Sequence, residues 1–142
     1  MFKRKGIYYT MLSFDCCFCQ WGSDARTFST NNILGNWTYI GQINYCADGR
    51  APPSHVTDMT INPCSINNTY GTNFRVPAQQ FNVATLQISQ SETFYMYYGE
   101  RFRSSKDGIK GHDFQAWIPI EFTDNDILQP MKFYENFTLN IS

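Results

Sequence analysis

Residues 82–98 read NVATLQISQSETFYMYY, two runs rich in β-branched and aromatic residues that are separated by the polar residues 89–92. In the first run, residues 83–88 divide into two alternating sets of side chains. Such alternation is typical of a β-strand that turns one face toward a core. The polar residues between the runs predict a hairpin turn, so the stretch predicts two antiparallel neighbours.

Runs of the same kind recur along the whole chain, separated by Gly, Asn, Asp, Ser and Pro. The predicted strands are residues 6–13, 26–29, 38–43, 82–88, 93–98, 115–122, 131–134 and 137–141. A Lys5-Gly6 turn precedes the first strand, and a turn at 124–126 joins the strand 115–122 to the last two. No long segment shows the 3.6-residue apolar periodicity of a helix, so the pattern predicts an all-β chain.

Residues 45–75 have a different character, with three prolines, several asparagines and little periodicity. They predict a long loop, and loops of this length in compact domains tend to be functional or to cover something. At 142 residues the chain fits a single domain. Short antiparallel units with long loops suit a sandwich, a barrel or the blades of a propeller, and periodicity leaves these three open.

The overall composition argues against two classes of partner. The net charge of −1 and the sequence pI of about 6.0 argue against nucleic acid, which would need a basic stripe. No apolar run approaches the roughly 20 residues that span a bilayer, so we expect no membrane partner. Aromatic residues make up 17% of the chain, which suits either β-structure or a surface that stacks on flat ligands such as sugar rings.

The cysteines favour disulfides over a metal site. They are Cys16, Cys17, Cys19, Cys46 and Cys64. A zinc site needs paired ligands at set spacings, which this cluster does not offer, so we expect no metal and no other cofactor. Disulfides form in an oxidising compartment. Two of the clustered cysteines would pair with Cys46 and Cys64 and tie down the long loop, or Cys16 and Cys17 would form a strained vicinal bond.

Four glycosylation sequons agree with an extracellular location. Their asparagines are Asn36, Asn67, Asn136 and Asn140. The chain does not begin like a signal peptide, because the apolar run after the basic residues 1–5 is short, broken by polar groups and not followed by a small-residue cleavage site. We therefore expect a secreted protein in which Met1 is an internal position.

Three stretches, taken in order, resemble the later part of glycoside hydrolase family 43, a family of five-bladed β-propellers. Residues 2–13, FKRKGIYYTMLS, are similar to a family strand of the form F-K-x-x-G-x-Y-Y-L-x-x-S, and residues 34–38, LGNWT, are similar to an L-x-G-P-W turn with Asn in place of Pro. Residues 95–102, YMYYGERF, and 115–120, QAWIPI, resemble the Y-M-G-D-R-W … W-L-P-L ending of the branch that contains exo-β-1,3-galactanases.

The resemblance implies an incomplete five-bladed β-propeller, made of the last two to two-and-a-half blades. It implies a fragment of an enzyme that hydrolyses O-glycosidic bonds in a β-galactan-like or related polysaccharide. In the family, the general-acid Glu lies in an E-A-P segment just before the F-K strand, so the acid and the N-terminal blades would lie outside this chain. Hydrolysis needs a proton donor and a group that activates water, so the chain alone is expected to be inactive. The alternative is a non-catalytic carbohydrate-binding or structural β domain.

The resemblance also supplies candidate catalytic residues. In the galactanase branch a Gln one strand before the G-D-R-W run serves as the base, and Gln79 and Gln80 occupy the corresponding place, with Gln79 aligning slightly better. An amide is an unlikely base on ordinary pKa grounds. The alternative is that these residues hydrogen-bond sugar hydroxyls or cap a strand.

Four residues are candidates for substrate binding. Trp21 follows the cysteine cluster and is the best candidate for stacking on a sugar ring. His112 and Asp113 lie in a Gly-rich loop, where Asp113 would orient His112, or where the two form an ordinary turn. By resemblance, Asp113 and Gln115 align near a position that lines the family's cleft.

Other conspicuous residues suit structural roles. Trp37 and Trp117 lie inside strand-like runs, so we expect both to pack in the core. Glu100 and Arg101 are adjacent and predict a structural ion pair, because an Arg beside a carboxylate lowers the pKa of that carboxylate and makes it a poor proton donor.

Overall fold

The fold was described from a computed structural model, which describes residues 1–13, 22–46 and 76–141. In these ranges the chain forms two antiparallel sheets. The first sheet has the order β1-β2-β3-β4, with strands Phe2–Arg4, Ile7–Leu12, Arg26–Thr30 and Thr38–Gln42. The second has the order β5-β6-β7, with strands Gln79–Gln87, Thr93–Glu100 and Gln115–Pro119. The described helical structure is one short 3₁₀ turn, Lys110–His112. The prediction of an all-β chain is therefore confirmed.

Tight turns set the register of the hairpins. Lys5 and Gly6 both have positive φ, at 46° and 86°, which suits the two-residue turns that match the twist of paired strands. Residues 89–92 join β5 to β6 as predicted, with the amides of Ile88 and Ser89 both donating to the Glu92 carbonyl at 3.0 and 3.3 Å. The predicted turn at 124–126 is also present, closed by the Ile127 carbonyl, which accepts from the Thr123 amide at 2.9 Å.

The last two predicted strands are wrong. Residues 131–134 and 137–141 are not strands, and the pairing in this part of the described chain is a single bridge between Phe122 and Leu128. The backbone of the tail bonds elsewhere, since the Met131 amide donates to the Ile43 carbonyl at 2.7 Å. The aromatic residues that suggested strands pack one by one instead, as with Phe137, whose ring centroid is 5.9 Å from that of Phe94.

One buried cluster draws on both sheets. The inner faces contribute Tyr9 and Met11 from the first sheet and Tyr97 and Ile118 from the second. Tyr97 is completely buried and donates from its hydroxyl to the Ala78 carbonyl at 3.2 Å, and burial raises the pKa of this phenol well above its usual range. At one end lies an aromatic group of Phe2, Tyr9, Tyr95 and Phe122, with ring centroids 5.1 to 6.4 Å apart.

A buried asparagine joins segments that are distant in the sequence. Asn44 is fully buried. Its side-chain Nδ2 donates to the carbonyls of Ser23 and Val76 at 2.8 and 3.0 Å, and its Oδ1 accepts from the Val76 amide at 3.1 Å. The side-chain amide of Asn44 thus takes the place of a neighbouring strand, because it pairs with buried backbone groups that would otherwise lack hydrogen-bond partners.

Cys46 is also completely buried and is disulfide-bonded. Cys16, Cys17, Cys19 and Cys64 lie outside the described residues, so the connectivity remains a prediction. The predicted long loop 45–75 also falls mostly outside the described ranges. In the described part of the chain, no helix has both the length and the apolar character needed to cross a membrane.

Candidate functional site

A row of three polar side chains crosses one end of the second sheet. Gln79 at the start of β5 pairs with Glu100 at the end of β6, and Glu100 pairs with Gln115 at the start of β7. Residues that lie directly opposite each other in antiparallel strands project from the same face of the sheet. The sheet therefore gathers two predicted site residues, Gln79 and Gln115, on either side of a carboxylate. We call these three residues the polar row.

Two cavities share Phe102, and the smaller one is lined by Gln79 and Glu100 of the polar row. The smaller has a volume of about 140 Å³ and is lined by Gln79, Gln80, Phe81, Glu100 and Phe102. The larger has a volume of about 430 Å³ and is lined by Phe102, Arg103, Ser105, Gly108, Lys110 and Asp113. The larger volume falls within the usual range of small-ligand sites.

A bulge in β5 places the two candidate glutamines in different surroundings. A bulge between Gln80 and Asn82 interrupts the pairing with β6, and such bulges redirect side chains. The Gln80 Nε2 donates to the Met11 carbonyl of the first sheet at 3.1 Å, and its Oε1 is buried with no partner among the described residues. Gln80 thus ties the two sheets together, while Gln79 stands in the polar row beside the cavity.

Lys110 connects Glu100 to the loop between β6 and β7. Its Nζ lies 3.4 Å from Glu100 Oε2 and 3.5 Å from Asp113 Oδ2, and 4.0 Å from the centroid of the Phe102 ring. The predicted partner for Glu100 was Arg101, but the Arg101 guanidinium lies 6.0 Å from the ring centroids of both Phe114 and Phe133. Neighbouring residues on a strand point to opposite faces, which explains why the adjacent Arg is not the partner.

Asp113 organises the loop 101–114 from within. Its carboxylate accepts hydrogen bonds from the backbone amides of Arg103, Ser104 and Ser105 at 2.9 to 3.0 Å, and its side chain is 3% exposed. The hydrogen bond from Ser105 and the other two backbone amides lower the pKa of Asp113 to about 2, against an ordinary value of 3.8. A carboxylate held in this way fixes the wall of the larger cavity.

The stability of the loop 101–114 is therefore expected to depend on pH through Asp113. Since the folded pKa lies below the ordinary value, the stabilisation is present at neutral pH and is lost as pH falls from about 4 through about 2. Asp113→Asn should remove most of that dependence and speed hydrogen exchange at the amides of residues 103–105. Exchange followed by NMR as a function of pH would measure both. Asp124→Asn, in the exposed turn at 124–126, is the matched control, and equal effects of the two variants would contradict the assignment.

His112 is not oriented by Asp113. Its Nδ1 lies 2.6 Å from Asp107 Oδ2, and both side chains are exposed. The hydrogen bond with His112 lowers the pKa of Asp107. Of the two interpretations of His112 and Asp113, the structure agrees with the ordinary turn: the side chain of Asp113 is 3% exposed and that of His112 is 62% exposed. His112 is not among the described residues that line the two cavities.

The remaining predicted residues have varied positions. Trp21 and Asn67 lie outside the described residues. The other sequon asparagines, Asn36, Asn136 and Asn140, are exposed, and their glycosylation remains a prediction. Among the described residues, no group of three or more His, Cys, Asp or Glu side chains is placed to hold a metal ion.

Trp117 is not in the core. It is 54% exposed, whereas its neighbours Ala116 and Ile118 are 4% and 1% exposed. Its ring centroid is 6.0 Å from that of Tyr98, which in turn is 5.2 Å from that of Phe81. The alternation of residues 115–118 could have revealed this, because Gln115 and Trp117 share one face and the two small or aliphatic residues share the other. Trp37 is half-buried.

Comparisons with known proteins give one informative likeness. No protein-family model and no curated protein sequence matches the chain. Among solved structures, the chain is similar to a β-1,3-galactosidase of glycoside hydrolase family 43, solved with galactodeoxynojirimycin, with a TM-score of 0.58 and 16% sequence identity. The match covers 97% of this chain but 31% of the galactosidase, so the chain spans less than a third of that structure. The resemblance to a portion of the family-43 fold, expected from the sequence, is thus confirmed as a likeness of fold.

Proposed function

We propose that the chain forms the C-terminal portion of a family-43-like glycoside hydrolase that cleaves O-glycosidic bonds in a β-galactan-like or related polysaccharide. In this proposal the two sheets are the last two to two-and-a-half blades of a five-bladed propeller. The earlier blades and the general acid come from outside the chain. The observation that carries the proposal is the polar row, in which Gln79, Glu100 and Gln115 stand side by side next to a cavity.

The chemistry of the polar row suits the binding of sugar hydroxyls. The amides of Gln79 and Gln115 offer donors and acceptors, and the Glu100 carboxylate offers acceptors. Glu100 forms an ion pair with Lys110, and donating a proton to a leaving oxygen would require breaking that pair. Asp113 is enclosed by backbone amides. Neither Glu100 nor Asp113 is thus suited to act as the proton donor that hydrolysis requires.

The role of Gln79 in this proposal is to orient a hydroxyl or a water molecule. Gln79→Ala should weaken binding of β-1,3-galactan by about tenfold, the effect of losing one or two hydrogen bonds to an uncharged ligand. Affinity electrophoresis in gels containing the polysaccharide would measure the change. Gln90→Ala, in the exposed turn between β5 and β6, is the matched control. Equal mobility of Gln79→Ala and the wild type would contradict the assignment.

Hydrolysis is a separate measurement. The natural protein, isolated from the organism that makes it, should release reducing sugar from β-1,3-galactan. A recombinant chain limited to these 142 residues should bind the polysaccharide without releasing sugar. The absence of both binding and release would reject the proposal.

The second candidate is a non-catalytic carbohydrate-binding or structural β domain. The observation that favours it is that the described site offers amides and one ion-paired carboxylate, which suit binding better than proton transfer. Binding of β-1,3-galactan by the natural protein, without release of reducing sugar, would select this candidate. Under either candidate we propose an extracellular location, supported by the disulfide at Cys46 and by the exposed sequon asparagines.

A further inference from the structure

An arginine without an acidic partner lies directly after β6. Arg101 is half-buried, and its Nε is buried with no hydrogen-bond partner among the described residues. Within the same ranges, no carboxylate forms an ion pair with its guanidinium. By contrast, Arg4 and Arg26, whose side chains are 19% and 18% exposed, each have a carboxylate oxygen at 2.7 Å. Arg101 is thus a partly desolvated charge that lacks a counter-ion, which is unfavourable.

Two exposed aromatic rings flank this guanidinium. Its central carbon lies 6.0 Å from the ring centroids of both Phe114 and Phe133, which is the outer limit of a cation–π contact. Phe114 and Phe133 are 55% and 43% exposed, so part of each ring faces water. Rings of this kind offer a flat apolar surface on which a sugar ring can stack.

The three residues, which we call the arginine cluster, are brought together by β6, β7 and the tail. The Arg101 amide donates to the Phe114 carbonyl at 3.0 Å, which continues the pairing of Glu100 with Gln115 by one residue. Neighbouring residues along a strand project from opposite faces. The arginine cluster therefore lies at the end of the second sheet that carries the polar row, on the other face of the sheet.

The chemistry of the arginine cluster suits an acidic sugar. A guanidinium presents a planar fork of N–H donors that matches two oxygens of a carboxylate or a sulfate. An anion on the terminal nitrogens of Arg101 would supply the missing counter-charge. Partial burial strengthens such a pair because less water competes for it. A neutral sugar could stack on the two rings, but it would leave the charge unpaired.

We propose that the arginine cluster binds an acidic group of the polysaccharide, either the carboxylate of a uronic acid or a sulfate ester. The inference rests on the proposed function, because that function makes a polysaccharide the ligand. It adds the class of substrate: an acidic galactan, whose charged group is recognised at Arg101.

Calorimetric binding of three oligosaccharides tests the proposal. Each is a tetrasaccharide of β-1,3-linked galactose that carries a glucose branch, a glucuronic acid branch or a sulfate ester. The natural protein, made recombinantly over its full length, should bind a charged compound about tenfold more tightly than the glucose-branched one, the effect of one charge-assisted pair. Whether the glucuronic acid or the sulfate compound shows this preference identifies the acidic group.

Substitutions of Arg101 assign the preference to its guanidinium. Arg101→Met keeps a long apolar stem without the charge, and it should abolish the preference. Arg101→Lys should retain only part of it, because an ammonium group cannot make the paired contact. Lys106→Met, at an exposed position in the same loop, is the matched control and should keep the full preference. Because Arg101 lacks a counter-ion, Arg101→Met should lower the midpoint of thermal unfolding by no more than about 2 °C.

Two results would overturn the proposal: equal affinity of the natural protein for the charged and glucose-branched compounds, or a preference that Arg101→Met retains. Equal affinity together with a midpoint lowered by more than about 5 °C in Arg101→Met would assign Arg101 to a carboxylate elsewhere in the natural protein. A preference that depends on Arg101, without release of reducing sugar, would keep the arginine cluster as a binding site and reject the hydrolase. Release of sugar without the preference would do the reverse, so the two proposals fail separately.

Discussion

Replacing Gly99 with alanine is expected to destabilise the chain by about 3 kcal/mol or more, because the added methyl group has no space. A Cβ at this position would lie 2.3 Å from the Gln79 carbonyl oxygen and 2.9 Å from the Tyr97 hydroxyl. The first of these atoms belongs to the backbone and cannot rotate away. β5 would have to move away from β6 at the point where the polar row is formed.

Urea denaturation of Gly99→Ala would measure the loss of stability. Gly111→Ala is the matched control, because a Cβ at Gly111 would meet nothing within 4 Å, and it should change stability by less than about 0.5 kcal/mol. We also expect Gly99→Ala to reduce galactan binding more than the control does, since the displaced strand carries Gln79. A Gly99→Ala protein as stable as the control would show that β5 and β6 are not paired at this position.

A separate substitution, Asn44→Ala, is also expected to destabilise the chain strongly, by about 3 to 5 kcal/mol. The alanine would leave two carbonyls and one amide, from Ser23 and Val76, buried without their partners, and each such group costs about 1–3 kcal/mol. The loss should appear as a lower midpoint in thermal unfolding and as faster hydrogen exchange at the Val76 amide. Asn44→Asp should be at least as destabilising at neutral pH, because a buried carboxylate retains the acceptor for the Val76 amide but faces the carbonyls of Ser23 and Val76 without a donor.

The control for Asn44 is an asparagine that bonds at the surface. Asn32 Oδ1 accepts from the Leu34 amide at 3.1 Å in an exposed turn, where water can replace the lost partner. Asn32→Ala should therefore cost about 1 kcal/mol or less. Equal costs for the two variants would contradict the view that Asn44 replaces a strand partner in the interior.

The sequence predicted the strands whose pattern depends only on local chemistry. The β5–β6 hairpin was predictable because residues 82–98 combine alternation with a polar turn. The tail was not, because residues 131–134 and 137–141 carry aromatic residues that suit a strand but find no partner strand among the described residues. A strand requires a neighbour as well as a propensity, and the neighbour is not visible in local sequence.

The site was predictable in its residue types but not in its pairings. Gln79 and Gln115 were both candidates, yet only the register of β5, β6 and β7 places them beside Glu100. The partner of Glu100 depends on the path of the loop 101–114, which returns Lys110 to the carboxylate from ten residues away. Asn44 was missed altogether, because a lone buried asparagine has no signal in a single sequence that separates it from the exposed ones.

The aromatic group at the end of the core has a consequence for the synthesis of the protein. Phe2 and Tyr9 from the first hairpin pack against Tyr95 and Phe122, residues that are synthesised well after the hairpin. Contacts so distant in sequence slow folding, because a long stretch of chain must be ordered before they form. Until Phe122 has been made, the N-terminal hairpin lacks the rings that shield it, and its apolar side is open to chaperones and to other nascent chains.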